Sequence, residues 1–399
     1  MSIARSQQQV YLRLVKRLRP HWRIDLALPA RIQRMLAGER SFGSRDRRLY
    51  RELIFTTIRY LPWIEPLLDP DPDRAAKIVA WLAAETPDTR SYRAELCGDW
   101  PARGSLVERA EFLGLSVDDL LPAWFREECP EIFSATEMEA QLARAPLWLR
   151  LQTEDTKPIS VEFTEQGWRT APSPILPAAW RVLDEADVTK SAAYTKGLVE
   201  IQDLGSQLVL ESLGLNSGGR WLDACAGAGG KTLQLARMLG ADAEVDAHDI
   251  RASALDELLQ RADRAGLENI HTTDNPQPNA YDGVLVDAPC SGSGTWRRSP
   301  HLKWVTTPAT LVERAQLQGE LLARFSTCVK PGGLLVYATC SLSYRENADV
   351  VTGFLSRHPA FAAARLPRTF GFAAENDALT ILPARHNTDG FFVAALRRR

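Results

Sequence analysis

Two cysteines follow hydrophobic, strand-like segments in closely similar surroundings. Cys290 lies in LVDAPCSGSGTWRRSP (285–300), and Cys340 lies in LLVYATCSLS (334–343). The carboxyl ends of parallel strands meet at one edge of a sheet, where ligand sites concentrate, and neighbouring strands lie about 5 Å apart. If the two strands are neighbours, both thiols therefore face one cleft. Since the thiolate form of cysteine is a nucleophile, either residue is a candidate for covalent catalysis.

The alternative for any single cysteine is a buried, inert side chain, because free cysteine is among the most buried residue types. We predict that role for Cys97, Cys129, Cys225 and Cys328. No pair has C-x-x-C spacing, which argues against a zinc ribbon, and the wide scatter argues against a disulfide framework. We therefore predict reduced cysteines and no metal site.

A turn of small residues, WLDACAGAGGKT (221–232), joins a predicted strand to a predicted helix. A P-loop requires G-x-x-x-x-G-K-S/T, and Cys225 stands in place of its first glycine. The dinucleotide fingerprint G-x-G-x-x-G also fails, because Thr232 occupies the third glycine position. A site for S-adenosylmethionine needs only a short small-residue loop and an acidic residue after the next strand, and Asp249 fits that second requirement. A tight turn without a ligand remains the alternative.

The region 201–399 alternates strand-like and helical segments, which predicts an α/β, Rossmann-like fold with a parallel sheet between layers of helices. The terminal GFFVAALRR is predicted to be the last strand. The other predicted strands are Arg220–Ala224, Val245–Asp249, Asn269–Thr272, Tyr281–Asp287 and Leu334–Ala338. The predicted helices lie near 232–239, 252–265, 309–328 and 346–357.

The region 1–143 is predicted to be a helical domain. DRRLYRELIFTTIRYLPWI (46–64) places apolar residues at helical spacing opposite arginines. Residues 144–200 are predicted to form a small α+β linker module, with strands in PLWLRLQ (146–152) and PISVEF (158–163). Further helices of the first domain are expected near 7–19, 30–38, 74–84, 104–113 and 136–144.

The composition, with 45% hydrophobic and 25% charged residues, is typical of a globular protein, and no apolar run approaches the ~18 residues that span a bilayer. We expect a soluble, cytoplasmic protein, and a monomer. Residues 1–52 contain thirteen Arg or Lys and four Asp or Glu, whereas 84–140 contain five and thirteen. Such a basic arm is typical of a phosphate-contacting surface, the alternative being a solvated helical face.

The sequence resembles the RsmB/Sun family of RNA cytosine-C5 methyltransferases. The likeness rests on D-x-C-A-G-A-G-G-K-T, D-A-P-C-S-G-x-G-x-x-R-R-x-P, Y-A-T-C-S, IQDLGSQLV and the terminal DGFFVA, which together span about 201–396. The helical region, above all DRRLYRELIFTTIRY, resembles the NusB-like RNA-binding domain of the bacterial rRNA branch. One departure is that Gly227 and Ala228 replace the Ala-Pro of the family's C-A-A-P-G-G-K turn, which should loosen this loop.

The resemblance implies the catalytic roles. Cys340 would be the nucleophile that adds to carbon 6 of cytosine, and Cys290 would assist the release of the product. Asp287 would bond the base at N3 and its amino group, and Lys231 would face the cleft near the base, unless it is only an exposed lysine at the start of a helix.

The resemblance also implies S-adenosylmethionine as the cofactor and RNA as the partner, with a single-stranded or flipped-out cytosine as target. The ribose would bind Asp249, the adenine side Asp274, and the methyl-donor end Asp287. The cofactor loop would comprise Cys225, Ala226, Gly227, Ala228, Gly229, Gly230 and Lys231. The candidates for RNA contacts are Arg297, Arg298, Lys303 and Arg345.

The function expected from these motifs is the formation of 5-methylcytosine, in 16S rRNA because the NusB-like start favours it, with tRNA as the alternative. Two rivals come from other classes. A P-loop NTPase would use GKT as a degraded phosphate loop, and an RNA-binding assembly factor would have a methyltransferase fold that no longer catalyses. Intact Asp287, Cys290 and Cys340 argue against the second rival.

Overall fold

The computed structural model describes residues 2–399, which fold into two compact units. The first, the helical unit, comprises residues 2–144 and 295–308, and the second, the sheet unit, comprises 145–294 and 309–399. The short segment 295–308 thus belongs to the helical unit although it lies within the sequence of the other.

The helical unit contains nine α-helices within the described residues, joined by short turns and 3₁₀ segments. Several begin with a side-chain cap: Ser105 accepts a hydrogen bond from the Glu108 amide, and the Glu108 carboxylate bonds back to the amide of Ser105. The helices are α1 (Ile3–Leu18), α2 (Leu28–Gly38), α3 (Ser44–Arg59), α4 (Leu61–Ile64), α5 (Pro72–Leu82), α6 (Arg90–Cys97), α7 (Leu106–Leu113), α8 (Ala135–Leu142) and, from the later segment, α14 (Leu302–Val305).

The long helix that the sequence predicts at 46–64 is divided into α3 and α4. Pro62 has no N–H to donate to the carbonyl of Ile58, so the helical ladder cannot continue. That carbonyl accepts a hydrogen bond from Trp304 Nε1 at 2.7 Å instead. The next carbonyl along the chain accepts one from Lys303 Nζ at 2.9 Å. Two side chains distant in sequence therefore satisfy the end of α3.

The sheet unit contains two sheets. The smaller has the order β2-β3-β1-β4 and is antiparallel throughout, and the larger has the order β11-β12-β13-β9-β8-β5-β6-β7, with β10 paired to β13. The strands are β1 (Leu147–Leu151), β2 (Thr170–Pro172), β3 (Ala179–Val182), β4 (Val199–Ile201), β5 (Arg220–Asp223), β6 (Glu244–Ala247), β7 (Ile270–Thr272), β8 (Tyr281–Asp287), β9 (Val329–Thr339), β10 (Phe361–Ala364), β11 (Ala374–Glu375), β12 (Ala378–Ile381) and β13 (Phe391–Arg398).

The larger sheet confirms the predicted α/β fold, with five parallel strands, β7-β6-β5-β8-β9, extended by the antiparallel β13 and its neighbours. Strand side chains alternate between two apolar cores, so that Leu285 and Val336 lie in one and Val286 and Leu335 in the other. The helices are α9 (Lys157–Glu165), α10 (Ala192–Thr195), α11 (Leu204–Glu211), α12 (Gly230–Leu239), α13 (Ala252–Arg264), α15 (Pro308–Ser326), α16 (Ala348–Arg357) and α17 (Pro383–His386).

The prediction of a strand at 158–163 is wrong, because this segment forms most of α9. Ile159 and Phe163 are both fully buried, whereas Val161 between them is about half exposed. Apolar residues at positions i, i+2 and i+4 fit a strand, but the outer two also lie on one face of a helix. Pro158 is compatible with the first helical turn, where no amide partner is required.

Much of the basic charge in residues 1–52 is paired within the helical unit. Seven arginines form ion pairs with carboxylates, for example Arg13 and Arg17 with Glu39, and Arg48 with Asp88. The sequence count therefore overstates the free positive charge of this surface.

None of the helices formed by residues 2–399 combines the length and the apolar character that a bilayer crossing requires.

Candidate active site

The structure brings the two predicted thiols into contact. β8 and β9 are parallel neighbours, with Asp287 paired to Ala338, so Cys290 and Cys340 both follow the carboxyl edge of the sheet. The Sγ atoms of Cys290 and Cys340 lie 3.3 Å apart, and both side chains are half-buried. None of the six cysteines is in a disulfide. Two free thiols thus meet at the carboxyl edge of the larger sheet.

Backbone hydrogen bonds lock the two cysteine loops together. The amide of Gly294 donates to the Cys340 carbonyl at 3.0 Å, and the amide of Leu342 donates to the Ser293 hydroxyl at 2.8 Å. A third loop joins them, because the amide of Gly390 donates to the Gly294 carbonyl at 2.7 Å. A Cβ on Gly294 would lie 2.1 Å from the Gly390 carbonyl oxygen, so this close approach requires glycine.

A buried carboxylate, Glu346, also ties the two loops and was not among the predicted residues. It is 0% exposed. Its Oε1 accepts hydrogen bonds from the Ser291 amide at 2.8 Å and from Gln318 Nε2 at 3.0 Å. Its Oε2 accepts from the hydroxyls of Ser291 and Ser341, each at 2.5 Å. Because these serines follow Cys290 and Cys340 directly, Glu346 fixes the position of both thiols.

Lys231 and Asp287 form a buried ion pair beside the thiols, with Nζ and Oδ2 2.9 Å apart. The Lys231 side chain is 9% exposed, so it is not a surface lysine at the start of a helix. Burial lowers the pKa of Lys231, but the Asp287 carboxylate and the nearby Cys340 outweigh that effect, and the pKa is raised overall. The cleft therefore contains a fixed ammonium group next to a candidate nucleophile.

The surroundings of Cys290 favour its protonated form. The contact with the Cys340 sulfur, together with burial and the charge of Cys340, raises the pKa of Cys290 well above its usual value. Cys290 therefore keeps its proton at neutral pH and can donate it in a hydrogen bond to the Cys340 sulfur. The arrangement favours a neutral Cys290 beside Cys340, which is the residue within reach of the Lys231 charge.

The glycine-rich loop adopts a conformation that two of its glycines permit. Gly227 and Gly229 have φ angles of 52° and 89°, in the left-handed region. The Gly227 amide donates to Asp249 Oδ2 at 2.8 Å, and Arg261 Nη1 donates to the Ala228 carbonyl at 2.5 Å. These contacts hold the loop even though it lacks the proline of the family pattern. That the Gly-Ala replacement loosens this loop stays a prediction.

The positions predicted for S-adenosylmethionine lie at the carboxyl ends of four adjacent strands. The loop 225–231 follows β5, Asp249 follows β6, Asp274 follows β7, and Asp287 ends β8. The N-terminus of α12 has no side-chain cap, and a Cβ on Gly230 would meet nothing within 4 Å. A helix N-terminus without a side-chain cap fits a carboxylate, and carboxylates on the next strands fit hydroxyl and amino groups, although Asp249 is also paired with Arg251. The residues present therefore fit this cofactor.

Asp223, at the end of β5, is a second carboxylate that the sequence did not single out. It is 1% exposed, accepts a hydrogen bond from the Thr232 hydroxyl at 2.7 Å, and supports the start of α12. Burial, with the nearby Asp287, raises the pKa of Asp223 to about 7, although the Thr232 hydrogen bond opposes the shift. An acidic residue that ends a buried strand is the sequence signal that could have found it.

The structure contradicts the proposed RNA contacts of Arg297 and Lys303. Both side chains are 1% exposed and lie inside the helical unit. Arg297 Nη2 donates to the Arg144 carbonyl at 3.1 Å. Lys303 Nζ donates to the carbonyls of Arg59 and Leu120 at 2.9 and 3.2 Å. A run of basic residues after the cysteine motif therefore serves packing, since backbone carbonyls need donors when they are buried.

The other two RNA candidates, Arg298 and Arg345, are exposed, and their contacts with RNA stay predictions. In the part of the chain that the structure describes, residues 2–399, no group of three or more His, Cys, Asp or Glu side chains is placed to hold a metal ion.

Comparison with known proteins agrees with the motifs. The family model of the 16S rRNA methyltransferase RsmB/F matches residues 210–397. A probable ribosomal RNA small subunit methyltransferase B of Bacillus subtilis is 30% identical over 307 residues, covering 71% of this chain and 68% of the relative. The ribosomal RNA small subunit methyltransferase B of Cronobacter sakazakii is 32% identical over 303 residues, covering 73% of this chain and 69% of the relative.

Solved structures show the same fold. A crystal structure of the protein PH0851 aligns over 100% of both chains with a TM-score of 0.76 at 21% identity. NSun6 from Pyrococcus horikoshii, solved with SFG, aligns over 69% of this chain and 97% of its own with a TM-score of 0.59 at 19% identity. Together with the sequence relatives, these matches confirm the resemblance seen in the motifs: the chain belongs to the RsmB/F family of 16S rRNA methyltransferases.

Proposed function

We propose that this protein forms 5-methylcytosine in small-subunit ribosomal RNA through a covalent bond between Cys340 and carbon 6 of the base. As a member of its family it is an S-adenosylmethionine-dependent RNA methyltransferase. The observation that supports the chemistry is the 3.3 Å separation of the Cys290 and Cys340 sulfurs beside the Lys231–Asp287 pair. We further propose that it acts as a monomer in the cytoplasm on a flipped-out cytosine.

The first proposed step is the addition of the Cys340 thiolate to carbon 6. Carbon 5 of an aromatic cytosine is a poor nucleophile, and addition at carbon 6 turns the ring into an enamine. Cys290 Sγ lies 3.3 Å from Cys340 Sγ, and the Lys231 ammonium lies close enough to interact with the charge of the attacking sulfur. In our proposal the Asp287 carboxylate accepts a hydrogen bond from the amino group of the base, and the adjacent Lys231 ammonium stabilises the negative charge that builds at N3.

When bound, S-adenosylmethionine supplies the electrophilic methyl group that carbon 5 of the enamine attacks. The loop 225–231 and Asp249 would hold the cofactor, Asp274 would lie on its adenine side, and Asp287 would lie at its methyl-donor end. These assignments follow from the free amides of α12 and from the carboxylates on adjacent strand ends. The pocket residues thus bind and orient the donor, while the thiols act on the base.

The last proposed step is the removal of the carbon-5 proton by Cys290 and the elimination of Cys340. The negative charge on Cys340 contributes to the raised pKa of Cys290. Once Cys340 is bonded to carbon 6 that charge is gone, so Cys290 can release its proton to solvent and become a base. It then takes the carbon-5 proton, the C–H electron pair forms the C5=C6 double bond, and the Cys340–C6 bond breaks to regenerate the thiolate.

A methyl-transfer assay tests this proposal. Tritiated S-adenosylmethionine is incubated with the purified protein and either small-subunit rRNA or total tRNA, and bisulfite sequencing of RNA from a deletion strain locates the modified cytosine. We expect label on carbon 5 of one rRNA cytosine. Label confined to tRNA would move the substrate to the alternative class, and absence of label from both would favour a non-catalytic RNA-binding factor.

A further inference from the structure

A cationic cavity of about 210 Å³ lies between the smaller sheet and the loop before β13. Its charged or ionisable lining side chains are Arg181, Arg385 and His386, and none of the lining side chains is acidic. Its remaining walls are Trp148, Ser173 and the segment 171–174 around it. A cavity with positive charge and no negative charge favours an anionic ligand.

Neither guanidinium group is paired with a carboxylate among residues 2–399, although that of Arg385 lies over the Phe372 ring, 5.8 Å from its centroid. Neither Arg181 nor Arg385 has a hydrogen-bond or ion-pair partner among residues 2–399, whereas the nearby Arg169 is paired with Asp184. Arg385 is exposed and Arg181 is half-buried, so both can reach a ligand in the cavity. Arginine only donates hydrogen bonds, and its planar fork matches phosphate oxygens.

Specific hydrogen bonds hold the walls of the cavity in place. The Trp148 indole is 5% exposed and donates from Nε1 to the Asn387 carbonyl at 3.0 Å. The Nε2 atom of His386 forms a hydrogen bond with the Phe370 carbonyl at 2.8 Å, and this contact fixes the ring. The Nδ1 atom of the same ring does not take part in it. These contacts join β1 of the smaller sheet to the loop before β13.

The same loop leads to the candidate active site. Four residues after His386, the amide of Gly390 bonds to the Gly294 carbonyl, and the Gly294 amide bonds to the Cys340 carbonyl. Four extended residues span at most about 14 Å. The cavity therefore lies close enough to the thiol loops for an RNA strand whose target base reaches Cys340 to contact it as well.

We propose that this cavity binds a backbone phosphate of the RNA strand close to the target cytosine, and so positions the strand for methylation. The inference rests on the proposed function, since it takes its ligand from the RNA substrate. Arg181 and Arg385 would contact the phosphate oxygens, and His386 would line the site. Phosphate contacts fix register without reading sequence, which leaves the choice of base to the cleft.

The test is RNA binding by the full chain with Arg181→Gln and Arg385→Gln combined. Transcribed small-subunit rRNA is titrated by filter binding at several salt concentrations, and S-adenosylmethionine is titrated calorimetrically. We expect about tenfold weaker RNA binding and a salt slope smaller by about 0.7, the value for one lost contact with a single strand. Cofactor affinity should not change.

Two further variants keep the result interpretable. Lys157→Gln removes an exposed charge from the start of α9, in the same unit but not in the lining of the cavity, and should bind RNA as the wild type does. The pair Arg181→Lys and Arg385→Lys keeps the charge and should restore the salt slope. Wild-type affinity and slope in the Gln pair would overturn the cavity proposal while the wild type still transfers methyl groups. If the wild type transfers none, the proposed function fails instead.

Discussion

Two buried lysines, in different regions of the molecule, differ in what they contact. Lys231 lies at the edge of the large sheet and pairs with the Asp287 carboxylate, and its pKa is raised. Lys303 lies in the helical unit and donates to two backbone carbonyls, and burial with the nearby Arg59 lowers its pKa well below the usual value. One environment stabilises a positive charge, whereas the other uses an amine as a donor and disfavours the charge.

This difference teaches how to interpret basic residues in the motifs. Both lysines follow a conspicuous motif, and both looked like cleft or RNA residues in the sequence. Burial alone does not separate them, since each is under 10% exposed. The hydrogen-bond partner of each lysine does separate them. A carboxylate partner next to a thiol indicates a catalytic role, whereas backbone carbonyls at the end of a helix indicate a structural role.

The largest expected effect that sharpens this comparison is the loss of methyl transfer when Lys231 is replaced. Lys231→Met keeps the size of the side chain but removes the ammonium that offsets Asp287 beside the Cys340 thiol. We expect methyl transfer to fall on the order of 10³-fold, together with a loss of stability because Asp287 loses its ion-pair partner. Single-turnover transfer and the alkylation rate of Cys340 by iodoacetamide would measure it. Activity within a few-fold of wild type would show that Lys231 is only a packing residue.

The next expected effect concerns the pH dependence of stability, through Asp223. Its pKa is raised from 3.8 to about 7 in the folded chain. The stability it contributes is therefore present below about pH 4 and is lost as the pH rises through about 7. Asp223→Asn cannot ionise, so we expect it to be more stable at pH 8 by roughly 3–4 kcal/mol.

Urea unfolding of the wild type and of Asp223→Asn at pH 5 and pH 8 measures this difference. The gain from the substitution should be smaller at pH 5, where the wild-type carboxyl is mostly protonated. An equal difference between the two proteins at both pH values would contradict the proposed burial cost.

A smaller effect, on stability alone, is expected at Lys303. Lys303→Met leaves the carbonyls of Arg59 and Leu120 without their donor, which costs about 2 kcal/mol. The transfer rate per folded molecule should stay at the wild-type value. Thermal unfolding and single-turnover transfer on the same preparation would separate the two readouts. A specific loss of RNA affinity without loss of stability would restore the RNA-contact interpretation.

The smallest expected effect is on the positioning of the thiols by Glu346. Glu346→Gln keeps the shape but replaces one acceptor oxygen by a donor, which opposes the two serine hydroxyls and the Ser291 amide. We expect about a tenfold loss of transfer with an unchanged affinity for S-adenosylmethionine. The rate at which iodoacetamide alkylates Cys340 in this variant should also depend on pH differently from the rate in the wild type. An unchanged profile would limit Glu346 to a structural role.

The sequence predicted most of the fold because local periodicity and turn chemistry set it. The strands of the parallel sheet and the helices between them lie within a few residues of their predicted bounds, apart from an earlier start of β9. The strand predicted at 158–163 failed because a short apolar alternation fits two structures, and burial chose the helix. The helix at Arg90–Cys97 was missed, since its apolar face is narrow and its neighbours supply the packing.

The positions of site residues could be predicted where a motif follows the end of a strand. They could not be predicted where contacts with residues distant in sequence determine the position. Cys290, Cys340 and the loop 225–231 gather at one edge because parallel strands place their carboxyl ends together. Glu346 and Arg297 could not be assigned, because a charged residue in a loop gives no local sign of being buried. Their roles depend on partners far away in sequence.

The central claim is that two converging thiols have different tasks, and trapping the covalent complex tests it most directly. Cys290→Ala and Cys340→Ala are incubated with small-subunit rRNA and S-adenosylmethionine and run on a denaturing gel. We predict that Cys290→Ala accumulates a slower-migrating protein–RNA adduct, because Cys340 adds but elimination fails. Cys340→Ala should form no adduct and transfer no methyl group. An adduct that appears only in Cys340→Ala, or methyl transfer by that variant, would contradict the account.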